Sequence, residues 1–120
     1  MKLSIGDVID RWTIAYLKNA RGKVDNINEI NTYIDYCNEN YDQSVIASAF
    51  QELLQHNGDI WLLESDIRLG KENELGLEEV GRRAIKIREI NKLRIDVKNK
   101  INSHYKEGFV EFKVNHAAIS

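Results

Sequence analysis

Residues 44–69 read SVIASAFQELLQHNGDIWLLESDIRL. Ile46, Phe50, Leu53, Ile60, Leu63 and Ile67 recur through this run at the spacing of one helical face. The dipeptide Asn57-Gly58 is a turn signal by local rules. The apolar period continues in phase across it, so the run predicts one long helix from about 44 to 69. A Gly inside a helix costs about 1 kcal/mol, so close packing or a kink is expected at Gly58. Residues 70–76, Gly to Gly, supply a turn. From Leu77 to Tyr105 a second stripe follows: Val80, Ala84, Ile87, Ile90, Val97 and Ile101. At about 1.5 Å per residue both helices are roughly 40 Å long. A short connection between them predicts an antiparallel helical hairpin.

Two shorter helices precede the hairpin. Ser4 with Asp7 fits a capping box. Ile5, Val8, Ile9, Trp12, Ala15 and Tyr16 then recur at helical spacing, and Arg21-Gly22 supplies a stop. A second helix starts at Asp25 or Asn26, with Ile27, Ile30, Ile34, Cys37 and Tyr41 on one stripe. This short pair is too small to cover the hairpin. Some apolar surface stays exposed in a monomer, which predicts a homo-oligomer. Beyond Gly108, Val110, Phe112 and Val114 alternate with polar residues, the pattern of a short strand or extended tail. The fold class is therefore all-α: one domain over residues 1–120, with a helical bundle in 1–107 and the tail in 108–120.

The composition agrees. The chain has 120 residues, 42% hydrophobic and 30% charged, with no proline. That suits one core and long unbroken helices. The single Cys37 excludes an internal disulfide and a cysteine-based zinc site. It reads as a small buried hydrophobe. No signal peptide and no apolar run near the ~20 residues of a membrane span are present, so a cytoplasmic, non-membrane protein is expected. The net charge of −2 hides an asymmetry. Between Asp25 and Glu79, thirteen acidic residues face two basic ones. Between Arg82 and Lys106, nine basic residues face two acidic ones. The two halves neutralise each other inside one bundle, or part of the basic half faces an anion. Extended nucleic acid is disfavoured, because the acidic half repels phosphate and no aromatics interleave the basic residues.

Polar residues also stand at bundle positions. Asn57, Trp61, Glu64 and Arg68 share a face, as do Asn91, Arg94 and Lys98 on the following long helix. Asp10 and Thr13 share a side of the first helix, with Lys18 about two turns from Asp10. Two readings stand side by side. In one, Arg94 pairs with Asp10 or Glu64 and Asn57 with Asn91, setting helix register. In the other, the faces enclose a polar cavity: Arg68, Arg94 and Lys98 hold a phosphate or carboxylate, and Trp61 stacks on a ring. The candidate ligand-binding set is Asp10, Asn57, Trp61, Glu64, Arg68, Asn91, Arg94 and Lys98.

The sequence shows no phosphate loop, nucleophile motif or dinucleotide fingerprint, and His56, His104 and His116 lack metal-ligand spacing. No cofactor, metal or catalytic residue is expected. The leading expectation is non-catalytic binding of a small anionic, nucleotide-like ligand. The alternatives are a protein-interaction module and a small mutase-like enzyme. In the last, Arg11, Arg68, Arg94, Lys98 and Glu64 would supply electrostatic catalysis, as in chorismate mutases. The run Arg82, Arg83, Lys86 reads as a solvated face or as the rim of a cavity.

The N-terminal run Ser4-Ile5-Gly6, Ile9-Asp10, Thr13-Ile14 and Lys18 resembles the opening of a family of small helical proteins from bacteria and phages that carries a domain-of-unknown-function label. The likeness continues at Asn57, Trp61 and Asp66-Ile67-Arg68, at Asn91, Arg94, Lys98 and Ile101-Asn102, and in the tail at Val110-Glu111-Phe112-Lys113. Tyr16 stands where the family tends to carry acidic residues, and residues 25–50 match poorly. The resemblance implies the helical fold and carries over no catalytic residue. The family's occurrence in phages implies one use, the sequestering of a host signalling nucleotide.

Overall fold

The computed structural model describes residues 3–106. Among them are five helices and no strand: α1 (Ile5–Ala20), α2 (Ile27–Asn40), α3 (Gln43–Arg68), α4 (Glu72–Leu75) and α5 (Leu77–His104). The all-α bundle expected from the sequence is the observed fold. The alternating segment from Val110 to Val114 lies outside the described residues.

Local chemistry explains the helix ends. The Ser4 hydroxyl accepts from the Asp7 backbone N–H at 3.3 Å and donates to the Asp7 carboxylate at 3.1 Å. Asp42 caps α3, accepting from the Ser44 N–H at 2.9 Å and from its hydroxyl at 2.8 Å. These bonds, led by the one from the hydroxyl, lower the Asp42 pKa. α3 closes in a Schellman motif. Gly70 adopts φ 76°, its N–H donates to Ile67, and the Lys71 N–H donates to Asp66. The turn expected over 70–76 contains the one-turn helix α4, and Gly76, at φ 81°, leads into α5. The end of α1 differs from the sequence expectation. Its left-handed residue is Lys23, at φ 55°, not Gly22. Gly22 is small for another reason: a Cβ there would lie 2.8 Å from the Lys18 carbonyl and 3.3 Å from the Trp61 ring.

α1 is the central element and packs on α2, α3 and α5. Its Ile5, Val8 and Ile9 are fully buried and meet Cys37 of α2, Ile46, Ala49 and Leu53 of α3, and Ile101 of α5. Trp12 packs on Phe50 with ring centroids 4.2 Å apart. Ile27, expected on the α2 stripe, is half exposed. It sits in the first turn, where α2 has run past the core. Paired contacts show that α3 and α5 run in opposite directions: Asn57 meets Arg94 and Asp66 meets Arg83.

α3 is unbroken through Asn57-Gly58. The close packing expected at Gly58 is not tight: a Cβ there would lie an ordinary 3.5 Å from the Arg21 guanidinium, which donates to the Gly58 carbonyl at 3.1 Å. Between Ile60 and Ile90 no described side chain is fully buried. That stretch is a two-helix arm, and the rest is a base of four helices.

Candidate functional site

The α1–α5 seam carries a ladder of polar contacts at one-turn intervals. Arg94, Lys98 and Asn102 are spaced i, i+4, i+8 on α5, so they line one stripe. At the bottom, Asn102 Oδ1 accepts from the Gly6 backbone N–H at 2.7 Å. Gly6 is required there, since a Cβ would lie 2.8 Å from both that oxygen and the Lys98 carbonyl. One turn up, Lys98 Nζ lies 2.9 Å from Asp7 Oδ1. Burial alone would raise the Asp7 pKa. The Lys98 ammonium and the Ser4 hydroxyl outweigh burial and hold it below the ordinary value.

The top rung joins three helices. Asn57 Nδ2 donates to Asp10 Oδ1 at 2.9 Å and to Thr13 Oγ1 at 2.7 Å. The Thr13 hydroxyl donates to the Asp10 carbonyl at 2.7 Å. Arg94 Nη1 donates to Asn57 Oδ1 at 3.4 Å. Its Nε lies 3.4 Å from Asp10 Oδ1, an ion-pair contact without hydrogen-bond geometry. Asp10, Thr13 and Asn57 are all buried, and Arg94 is about a quarter exposed. The side chains of Asp10, Thr13 and Asn57 are hydrogen-bonded, as a low-dielectric interior demands, while Arg94 Nε is buried with an ion-pair contact alone.

Of the eight residues singled out in the sequence, Asp10, Asn57 and Arg94 therefore meet directly, and Lys98 stands one rung away. Thr13 completes the set. Glu64 and Asn91 are half-buried and join none of these bonds. Asn57 reaches Asp10 and Thr13, not Asn91. Trp61 and Arg68 sit apart from the ladder. The Arg68 guanidinium stacks 4.3 Å over the Trp61 ring and donates to its carbonyl at 3.1 Å. Arg82 and Arg83 pair with Glu78, Glu79 and Asp66 at 2.9–3.2 Å. Hydrogen bonds from Arg83 and Arg82 lower the Glu79 pKa.

A second polar feature escaped the sequence reading. Arg11, Ile14, Ala15 and Lys18 of α1 face Glu29 and Tyr33 of α2 across a cleft of about 250 Å³. Arg11 and Lys18 are seven residues apart, two helical turns, so they share one edge of it. The Tyr33 hydroxyl donates to Glu29 at 3.1 Å. Burial first, and then that carboxylate, raise the Tyr33 pKa, while Arg11 opposes the shift. The seven-residue spacing of the two cations was the available signal. Asp10 lies on another side of α1, so its spacing to Lys18 does not reveal the cleft.

Among the described residues no cluster of three or more His, Cys, Asp or Glu could hold a metal ion. No helix there is long and apolar enough to cross a membrane. Burial pushes the Cys37 thiol up to about 11, so it is a poor nucleophile at neutral pH.

Fold and ladder together define an all-α bundle organised around one central helix. No family model matches the chain, and no curated protein or solved structure matches it.

Proposed function

We propose that the chain is a non-catalytic binding module for a small anionic, phosphate-bearing ligand no larger than a nucleotide, held in the cleft between α1 and α2. One observation carries this reading. Arg11 and Lys18 line the same cleft edge, where Glu29 is the one lining carboxylate and Asp7 acts on Arg11 from outside it, whereas Arg94 and Lys98 are in direct ion-pair contact with Asp10 and Asp7. Two cations that converge on a concave surface attract an anion and can donate several charge-assisted hydrogen bonds. In this reading Asp10, Asn57, Arg94 and Lys98 are the architecture that positions α1. The likeness to a bacterial and phage family belongs to the same proposal, with nucleotide sequestration as the biological use.

The test is thermal unfolding and calorimetry with inorganic phosphate, pyrophosphate and nucleoside mono- and diphosphates. A ligand at a hundred times its Kd stabilises by about 2.7 kcal/mol. Arg11→Ala with Lys18→Ala should abolish that gain while leaving the unliganded Tm within a few degrees. No stabilisation by any of these anions overturns the reading.

A specific observation favours a second reading, a protein-contact module that self-associates. On the arm, Leu62, Leu69, Leu77 and Ile85 are 59, 69, 90 and 51% exposed. Native mass spectrometry before and after Ile85→Lys separates the two readings. An oligomer that this change dissolves, with no bound small molecule, supports the second.

A further inference from the structure

An apolar groove of about 340 Å³ opens between the first turns of α3 and the last turns of α5. Val45, Ala49, Val97 and Ile101 form its floor, and no residue of α1 or α2 lines it. Ala49 and Ile101 also belong to the core beneath, where they meet Ile5, Val8 and Ile9 of α1. The groove is therefore the outer face of the α3–α5 pair, and α1 packs on the inner one. Leu93, one turn before Val97 on α5, is half exposed and extends the apolar wall toward the arm. The two rims carry opposite charge, Glu52 on α3 and Lys100 on α5. Both side chains are exposed, and among the described residues neither forms an ion pair.

We propose that a second copy of this chain covers the groove, in a two-fold dimer that lays α3 of each protomer along α5 of its partner. The rim charges select both the occupant and the arrangement. In a two-fold interface one patch meets itself, so it must be self-complementary. A patch with one acidic and one basic rim meets that condition. The heights agree as well. Asn57 of α3 lies level with Arg94 of α5. Glu52 is five residues back along α3, and Lys100 is six residues on along the antiparallel α5. Both therefore stand roughly 8 Å further down, on opposite rims. A two-fold axis parallel to the helices preserves height and exchanges the rims. It brings Glu52 of one protomer to the partner's Lys100, and symmetry repeats the pair. An axis across the helices sets α3 on α3 instead, and like charge on like charge is costly. With the rims matched, the two apolar floors close on each other and leave water, the dominant favourable term in most association. Nine residues line the groove, against about 20–30 a side in a standard interface, so the dimer is of the weak, micromolar kind. This surface is separate from the anion cleft and from the exposed leucines of the arm, so neither of those readings bears on it.

The test is analytical ultracentrifugation of the full chain from about 1 μM to about 1 mM, the range of a weak interface. The unaltered protein should pass from monomer to dimer across it. Glu52→Lys and Lys100→Glu each create two like-charge contacts in the dimer and should each weaken it at least about tenfold. Both positions are exposed, so helical circular dichroism should not change. The two variants mixed in equal amounts should recover the original affinity, because both contacts of the mixed dimer again join opposite charges. A charge pair inside one protomer gives no such rescue. A monomer at every concentration overturns the proposal and leaves the groove to a different partner. A dimer indifferent to both substitutions overturns it in favour of another surface, and Ile85→Lys then shows whether that surface is the arm. Weakening by both variants without rescue on mixing overturns the α3-on-α5 arrangement.

Discussion

The base and the arm of the molecule are built from the same two helices and hold together differently. At the base, α3 and α5 meet α1 and α2, and four elements enclose a common interior. Leu53, Ile9, Ile5 and Val8 are wholly buried there, beside a polar ladder joined by hydrogen bonds and ion pairs. In the arm, α3 and α5 have only each other and the four-residue α4. A two-helix contact leaves most of each helix circumference in water, so Leu62, Leu69 and Leu77 stay exposed. The ion pairs of the arm are of the surface kind, each worth at most ~1 kcal/mol. Composition already separates the two regions, since the arm sequence from Trp61 to Glu89 is much richer in charged residues than the 30% of the whole chain. The number of neighbouring elements separates them as well.

The sharpest way to break the contrast is at the top rung of the ladder. Arg94→Ala leaves the Asp10 carboxylate buried without its cation, which should cost roughly 3–5 kcal/mol in denaturant unfolding. A loss under about 1 kcal/mol would mean that the rung contributes no more than a surface pair. Leu53→Ala, at full burial, should cost about 2–5 kcal/mol, whereas Leu69→Ala on the arm should cost under ~0.5 kcal/mol. Equal costs would erase the distinction between the regions. Gly6→Ala forces a methyl group against the Lys98 carbonyl and Asn102 and should cost about 1–3 kcal/mol.

The smallest effect is pH-dependent. The folded pKa of Asp7 lies below its ordinary value of 3.8. Its stabilisation is therefore complete above that ordinary value and disappears as the pH falls through the lower folded value. In acid titrations of stability, Asp7→Asn should remove part of the loss seen below about pH 4 and leave the arm's own acid response, from Glu79, in place. An unchanged acid limb would show that the Lys98 contact does not couple to folding.

The helices were legible because their signals are local. Ser4 and Asp42 cap by bonds to residues two or three positions away, and the apolar period of α3 is long enough to override Asn57-Gly58. The candidate site was legible only in part. Asp10, Asn57 and Arg94 were recognisable as polar residues at bundle positions, and they do meet. Their grouping with Trp61 and Arg68 was a face-sharing argument. Sharing a face does not place side chains in one cavity: Arg68 folds back on Trp61 instead. The Arg11–Lys18 cleft depends on how α2 lies against α1. The apolar stripe of α2 marks that it packs, but not which polar residues of α1 it faces.

The amino-acid sequence by itself determined the helical class, the capped starts of α1 and α3 and the long reach of α3 and α5. These follow from periodicity, caps and the absence of proline, all properties of neighbours along the chain. Tertiary structure alone decided which of the many polar residues are buried. Partner choice there depends on distances between helices: 47 residues separate Asn57 from Asp10 in sequence, and 2.9 Å in space. A buried carboxylate is tolerable only where such partners converge. No spacing within a single helix encodes that convergence.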